Sequence, residues 1–426
     1  MKYLFVACLL CLSVLSAVAK VPAMNKIRLT NNWEYLKGDL GGIWEAVRPA
    51  APGSSEAVPI WQPVTLPHCF NAEDAVDPDV NYYEGPGWYK TLLAIDNPYR
   101  NGRIVLDFDG AGQKTDVYVY TTHVGSHVGG YDSWNVDITD AVKAFLGSKD
   151  AKRFKGKVPL SIRCDNSRDL EMIPSDLADF NIYGGLYRYL NLVYLPEVSF
   201  EQIRLESSLS SNLKEGILKV KTSFYNPEDI RKADVTVSVY DADRKPVFSK
   251  TLEGILPLGD QLLAEMKIKN PVLWDVDVPQ LYTCELTVKT PDQTFTTEER
   301  FGFRHTEFKD KGPFFLNGKR LLLRGTHRHE DHAGVAKAMT EDMMRREMRM
   351  MKDMGVNFIR LGHYQQSEII LDLCDELGIL VWEEIPWCRG GLGGDVYKKQ
   401  ARRMLANMIV QHHNHPAVII WGLGNE

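Results

Sequence analysis

The sequence lacks the features of two classes of protein, those that span membranes and those that bind nucleic acids. Its one long apolar run, Tyr3–Leu15, stands at the start, and no later run approaches the ~20 residues that span a bilayer. It has no basic excess, since 50 Lys and Arg against 56 Asp and Glu give a formal net charge of −6. Nucleic-acid binding usually needs a basic surface. We therefore expect that the protein does not bind nucleic acid and has no membrane-spanning segment.

The first 19 residues have the pattern of a secretory signal. Lys2 precedes the apolar run, and the segment ends at Ala17-Val18-Ala19, an A-x-A cleavage pattern. We predict cleavage after Ala19 and a secreted or periplasmic protein.

Cysteine is scarce and widely spaced. Two of the seven cysteines fall in the signal, and the other five are Cys69, Cys164, Cys284, Cys374 and Cys388. An odd number at irregular spacing argues against a disulfide framework or a zinc site. We expect mostly buried thiols.

The 426 residues suggest about two to four domains. Residues 25–196 and 197–304 alternate polar and apolar positions between Gly, Pro, Asn and Asp clusters, which predicts two all-β modules, the second a small sandwich. From residue 305 the pattern changes to strands alternating with helices. The predicted strands there are Lys319–Arg324, Val356–Leu361, Ile379–Trp382 and a fourth after Pro416, with helices from Thr340, after Ser367 and around Ala401.

Four strands in a β-α-β-α-β-α-β order predict a parallel sheet and half of a (β/α)8 barrel. A half barrel would leave an open sheet edge, so we expect an N-terminal piece of a longer polypeptide. The carboxyl ends of all four strands share one rim, where such barrels keep their chemistry. The polar residues that follow the strands are His327, His329 and His332; Arg360 and His363; Glu383 and Glu384; and Asn425 and Glu426.

These residues and several motifs resemble glycoside hydrolase family 2, which contains β-galactosidases, β-glucuronidases and β-mannosidases. The motifs are Trp61 to His68, Gly87-Trp88-Tyr89-Lys90, Gly129-Gly130-Tyr131, Gly184-Gly185-Leu186-Tyr187-Arg188, Phe315 to His332, and Asn414-His415-Pro416 through Trp421-Gly422 to Asn425-Glu426. The resemblance implies a jelly-roll sugar-binding domain, an immunoglobulin-like sandwich and the first half of a TIM barrel.

The resemblance also implies a retaining mechanism with two carboxylates ~5–5.5 Å apart. Glu426 matches the general acid/base, Asn425 the contact to the sugar 2-hydroxyl, and His329 and His363 the sugar-contacting histidines. Arg360 matches the arginine that orients the nucleophile. That nucleophile is expected beyond residue 426, so we expect the chain alone to be inactive.

Asp179, in the stretch before the Gly184–Arg188 motif, is a candidate for binding sugar hydroxyls, with a turn residue as the plain alternative. The positions of a magnesium site known in some relatives hold Trp387 and Arg389 here. Arginine cannot ligate a cation, so we predict no metal and no cofactor.

A β-galactoside is the first expectation for the carbohydrate partner, because the histidine-rich strand ends resemble that branch of the family. The alternatives are a β-glucuronidase or β-mannosidase of the same family. Outside it, His327, His329 and His332 could start the metal site of an amidohydrolase-like barrel, or the chain could be a non-catalytic carbohydrate-binding protein. An oligomer is compatible with the sequence.

Overall fold

The computed structural model describes residues 26–49, 59–175, 177–390 and 393–426. The predicted signal, residues 1–19, lies outside the described residues. Within them, no helix combines the length and apolarity needed to cross a membrane.

The first module is a pair of antiparallel sheets with strand orders β1-β10-β5-β8 and β3-β2-β4-β9-β6-β7. Its elements are β1 Lys26–Arg28, β2 Trp33–Lys37, α1 Trp44–Val47, β3 Gln62–Val64, β4 Pro86–Leu93, β5 Arg103–Phe108, β6 Lys114–Val119, β7 Thr122–Val128, β8 Trp134–Asp137, α2 Thr139–Leu146, a 3-10 helix Lys149–Phe154, β9 Val158–Asp165 and β10 Leu190–Leu195. Alternation decides which face is buried: β6 turns Thr115, Val117 and Val119 into the core. The predicted jelly roll is confirmed.

The second module is a sandwich of sheets β11-β12-β15 and β14-β13-β16-β17. Its strands are β11 Ser199–Leu209, β12 Glu215–Tyr225, β13 Ala233–Tyr240, β14 Pro246–Ile255, β15 Asp260–Lys269, β16 Tyr282–Lys289 and β17 Thr294–Phe301. Every second residue of β13 is buried, from Ala233 to Val239. The core is therefore a layer between the two sheets, as expected for an immunoglobulin-like sandwich.

The third module opens with a small sheet of β18 Thr306–Phe308, β19 Phe314–Leu316 and β20 Lys319–Arg320. A parallel sheet with order β21-β22-β23-β24 follows. Its strands and helices are β21 Gly325–Arg328, α3 Glu341–Asp353, β22 Phe358–Leu361, α4 Glu368–Leu377, β23 Leu380–Glu384, α5 Asp395–His412 and β24 Val418–Gly422. The predicted half of a TIM barrel is confirmed.

One predicted barrel strand is wrong. Lys319–Arg324 was expected to be the first, but Lys319 and Arg320 pair antiparallel with β19, and the first parallel strand is Gly325–Arg328. Asn317 and Gly318 both have positive φ, +51° and +76°. An Asn-Gly pair of this kind makes a tight hairpin turn, so the chain folds back before it enters the barrel.

A buried ion pair joins the jelly roll to the barrel. The Arg188 guanidinium donates to Glu330 Oε2 at 3.1 and 2.7 Å, and both side chains are 1–2% exposed. Burial opposes ionisation of Glu330, but the charges of Arg188, Lys337 and Arg328 and the backbone N–H of Ser367 together outweigh it and hold the pKa of that carboxyl below its usual value. Beside the pair, Lys337 Nζ lies 3.5 Å from the centroid of the Tyr364 ring. The two modules therefore share one polar core.

The five cysteines of the described chain are all buried free thiols, as predicted.

Candidate active site

The carboxyl ends of β21–β24 bring the predicted polar residues to one edge. Because the strands are parallel and in register, His327 lies beside Arg360, and Glu384 lies beside Gly422. After β24 the chain turns back, and Asn425 forms a parallel bridge with Cys388. Residues distant in sequence therefore surround one space.

Glu384 is the centre of this edge. It is 0% exposed and receives Arg360 through three N···O contacts of 2.9–3.2 Å. His363 Nδ1 lies 2.7 Å from its Oε1. A two-pronged guanidinium–carboxylate pair has a fixed geometry. Glu384 therefore fixes the positions of the Arg360 and His363 side chains.

Asn425 is attached to this centre. Arg360 donates to Asn425 Oδ1 at 3.0 Å, and Asn425 Nδ2 lies 3.4 Å from the thiol of Cys388. The same thiol donates to Asp179 Oδ1 at 3.1 Å. A chain of polar contacts thus runs from His363 on the barrel to Asp179 on the jelly roll.

Arg389 lies at the open rim. Its guanidinium contacts Glu426 Oε2 at 2.5 Å and Asp179 Oδ2 at 3.2 Å. The Cys388 thiol and the charge of Arg389 hold the pKa of Asp179 below its usual value. The Glu426 side chain is 52% exposed. It is therefore accessible from solvent and is linked to the edge through Arg389.

Three imidazoles line the opposite wall. The rings of His327 and His329 stack at 5.0 Å between centroids, and His363 meets them edge-on at 4.7 and 5.2 Å. Phe180, from the jelly roll, lies 5.8 Å from His329 and 6.2 Å from His363. Burial lowers the pKa of His329 to about 4, so this ring is neutral at pH 7. The wall combines the apolar ring of Phe180 with ring nitrogens that can donate or accept hydrogen bonds.

Glu383, the neighbour of Glu384, has a different role. It is 0% exposed and lies 2.7 Å from His412 Nδ1 on α5, and it accepts the backbone N–H of Gln366. Its carboxylate holds the sheet to the surrounding helices.

The structure brings most of the predicted site residues together. Asn425, Arg360 and His363 contact one another directly or through Glu384. His329 joins them by ring contacts, and Asp179 joins them through Cys388. In the described part of the chain, Glu426 has no hydrogen bond to His329, His363 or Arg360; it accepts from Arg389 Nε.

Sequence reasoning missed three residues at this edge. Phe180 has no sequence signal of its own, Cys388 is one of five predicted buried thiols, and Arg389 is predicted only to be unsuitable as a metal ligand. The position of Cys388 and Arg389, just after the third barrel strand, was the available signal. His332, in contrast, lies outside the imidazole cluster, with Nδ1 3.0 Å from the Ala333 carbonyl oxygen.

Family comparisons agree with this architecture. The sugar binding domain model of glycosyl hydrolases family 2 matches residues 40–196, the central family 2 model matches 198–304, and the TIM barrel domain model matches 307–426. The chain belongs to glycosyl hydrolase family 2, as its motifs predicted. This membership argues against the amidohydrolase-like alternative.

The individual relatives of this chain include β-glucuronidases and a β-galactosidase. A crystal structure of Parabacteroides merdae β-glucuronidase with glycerol in its active site is 98% identical, with a TM-score of 0.94, and the match covers 96% of this chain and 52% of that one. A Bacteroides fragilis β-glucuronidase is 32% identical over 85% of this chain and 53% of its own length. A Thermoanaerobacterium thermosulfurigenes β-galactosidase is 30% identical over 93% and 53%. The chain spans about half the length of these relatives.

Proposed function

We propose that this chain forms the sugar-binding modules and the first half of the catalytic barrel of a retaining β-glucuronidase. The observation that carries the proposal is the 98% identity to a solved β-glucuronidase over 96% of the chain. The identity to a β-galactosidase is 30%. The relatives therefore favour the glucuronidase alternative over the galactosidase that the strand-end histidines first suggested.

In this proposal, Glu426 is the general acid/base. It protonates the glycosidic oxygen as the bond breaks, then removes a proton from the water that hydrolyses the glycosyl-enzyme intermediate. Its exposed position after β24 suits a group that must meet the leaving group and then water. The nucleophile, ~5–5.5 Å away in retaining enzymes, is supplied by the remainder of the protein.

The other site residues have binding and orienting roles in the proposal. Asn425 binds the sugar 2-hydroxyl through its amide while Arg360 fixes the amide oxygen at 3.0 Å. His329 and His363 present ring nitrogens to the sugar, and Asp179 accepts from its hydroxyls. Arg360 also orients the nucleophile. Because Glu384 neutralises Arg360, the guanidinium can do this without a net charge in the buried layer.

Hydrolysis of a panel of substrates tests the proposal. The full-length protein that carries this chain is assayed with 4-nitrophenyl β-D-glucuronide, galactoside and mannoside under one set of conditions. We expect the highest kcat/KM for the glucuronide, and NMR of early product should show the β anomer because the mechanism retains configuration. A higher kcat/KM for the galactoside would instead restore the first expectation, and an α product would contradict retention.

We also propose that the protein is exported, on the basis of Lys2, the apolar run and the Ala17-Val18-Ala19 ending. N-terminal sequencing of the mature protein checks this proposal, and we expect it to begin at Lys20.

A further inference from the structure

We propose that His327, His329 and His363 form a binding site for a divalent transition-metal ion of the Zn²⁺ class, and that a bound ion blocks the sugar site. The three side chains offer ligand atoms that all lie within 4.8 Å of one another. Three imidazoles with one open position are a donor set that Zn²⁺ uses in proteins.

The geometry is close to that of a tetrahedral site. Zn–N bonds of ~2.0–2.1 Å place ligand nitrogens ~3.4 Å apart, so ligand atoms that now lie within 4.8 Å of one another need to close by at most ~1.4 Å. His327 can supply this movement. Its side chain is exposed and makes no hydrogen bond with the described residues. His327 and His329 are two apart on one strand end, so both rings face the same side.

The contacts that the histidines make through their Nδ1 atoms also suit a metal site. His363 Nδ1 lies 2.7 Å from Glu384 Oε1, and His329 Nδ1 lies 3.4 Å from Tyr364 Oη. Each contact leaves Nε2 as the free nitrogen. A carboxylate behind a ligating histidine fixes the ring and raises its basicity. Glu384 therefore already has the position of the carboxylate that commonly hydrogen-bonds a metal-binding histidine.

Local charge permits a cation. Two positive groups act on the histidines: Arg360, which is paired with Glu384, and Lys337, which acts on His329 and has the carboxylates of Glu330 and Asp331 beside it. Asp179 adds a carboxylate near the same histidines, and its charge acts on both His327 and His329. The ion would therefore enter a nearly neutral space with an open face for water.

Inhibition follows because two of the ligands have a second role. His329 and His363 are the residues proposed to contact the sugar, so this consequence rests on the proposed function. An ion held by both occupies nitrogens that the sugar needs. Zn²⁺ should therefore compete with substrate, raising apparent KM and leaving kcat unchanged.

Metal binding is measured first, without reference to activity. Chelator-treated full-length protein is titrated with ZnCl₂ by calorimetry, and with Co²⁺ by visible absorption, in a non-coordinating buffer. His327→Ala and the milder His327→Gln are compared with His332→Ala, which removes a nearby histidine outside the cluster. We expect both His327 variants to lose affinity at least ~10-fold, since even outer contacts cost this much, and His332→Ala to bind normally. Equal affinity in all variants, or no binding to the wild type, overturns the site.

Inhibition of glucuronide hydrolysis by Zn²⁺ is measured second. We expect competitive inhibition, reversal by chelator, and weaker inhibition of His327→Gln. If the protein binds Zn²⁺ through His327 but hydrolyses no glycoside, the metal site stands and the proposed function fails. If it hydrolyses glucuronides but the ion inhibits both His327 variants as strongly as the wild type, the function stands and the metal site fails.

Discussion

At the scale of single residues, the surroundings of Glu426 depend on Arg389. This guanidinium contacts Glu426 and Asp179 and is itself half exposed, with 53% of its side chain accessible. An exposed pair of this kind contributes little to stability. Its significance is positional, because it links the proposed acid/base to the loop of the jelly roll.

Replacing Glu426 with Gln should abolish proton transfer and keep this contact, since the amide oxygen still accepts from Arg389. We expect kcat/KM for glucuronides to fall ~10²–10⁴-fold, the usual contribution of a general acid/base. The loss should be larger for methyl β-D-glucuronide than for the 4-nitrophenyl compound, whose leaving group needs less protonation. Glu73→Gln, at an exposed carboxylate of the jelly roll, is the control. The same loss with both substrates would contradict the acid role.

Cys388 should matter more for catalysis than a buried thiol normally does. It connects Asp179 and Asn425, and such hydrogen bonds contribute ~0.5–1.5 kcal/mol each. We therefore expect Cys388→Ala to lower kcat/KM by ~2–10-fold and Cys388→Ser, which keeps a donor and an acceptor, to lower it less. Cys374→Ala, at a buried thiol on α4, is the control and should reduce thermal stability alone. A larger loss in the serine variant would contradict the linking role.

Strand ends could be predicted from sequence, and contacts between modules could not. Arg360, His363 and Asn425 were found because a parallel sheet collects its carboxyl ends at one edge. Cys388 meets Asp179 across 209 positions of sequence. Periodicity and spacing contain no information about that contact, since it depends on how the jelly roll docks onto the barrel.

At the scale of elements, the segment between β21 and α3 contains a lysine, Lys337, whose side chain is buried. Lys337 is 1% exposed, between the rings of Tyr131 and Tyr364 and near the Arg188–Glu330 pair. Burial lowers the pKa of Lys337 to about 7. Its amine therefore titrates in the folded protein far below the ordinary value for lysine.

The free energy of unfolding should depend on pH because of this lysine. Between pH 7 and 10.5 the unfolded chain binds more protons at this group than the folded chain, so its contribution to stability rises with pH across that window. It is fully present above the unfolded pKa and is lost as the pH falls to about 7. In urea unfolding at pH 7, 8 and 9, the stability of the wild type relative to Lys337→Met should increase at each step. A constant difference would contradict the lowered pKa.

Element boundaries show the same limits of prediction. The apolar runs Arg103–Phe108 and Leu190–Leu195 coincide with strands β5 and β10, since Gly102 and Pro196 mark their outer ends. The first barrel strand was misplaced because Leu321, Leu322 and Leu323 form an apolar run typical of a buried strand. In the structure, Leu321 and Leu323 pack against the barrel core, but the Leu321 N–H donates to the Phe314 carbonyl across the hairpin and the parallel pairing begins only at Gly325.

At the scale of the whole molecule, two of the three modules, the jelly roll and the barrel, share one site, and the barrel sheet has four strands in the described chain. The carboxylates near Glu426 are already engaged: Glu384 with Arg360 and His363, and Asp179 with Cys388 and Arg389. Neither is placed as a free nucleophile. The site as described therefore holds one partner of the proposed two-carboxylate mechanism.

The 426-residue polypeptide, expressed alone, should not hydrolyse 4-nitrophenyl β-D-glucuronide above the buffer rate. The physical reason is the missing second carboxylate, without which no glycosyl-enzyme intermediate forms. Enzyme of full length, at equal molar concentration, is the positive control. Turnover by the shorter polypeptide that survives Glu426→Gln would point to a contaminant, and turnover abolished by that change would contradict the expectation.

Phe180 reaches the barrel histidines from a different module, and this has a consequence for evolution and engineering. The backbone that carries it takes no part in the pairing of β21–β24. Residues 177–182 other than Asp179 can therefore vary or be randomised while the strands of the barrel stay constant. A library confined to those positions should alter which substrates are accepted and preserve the chemistry at the anomeric carbon.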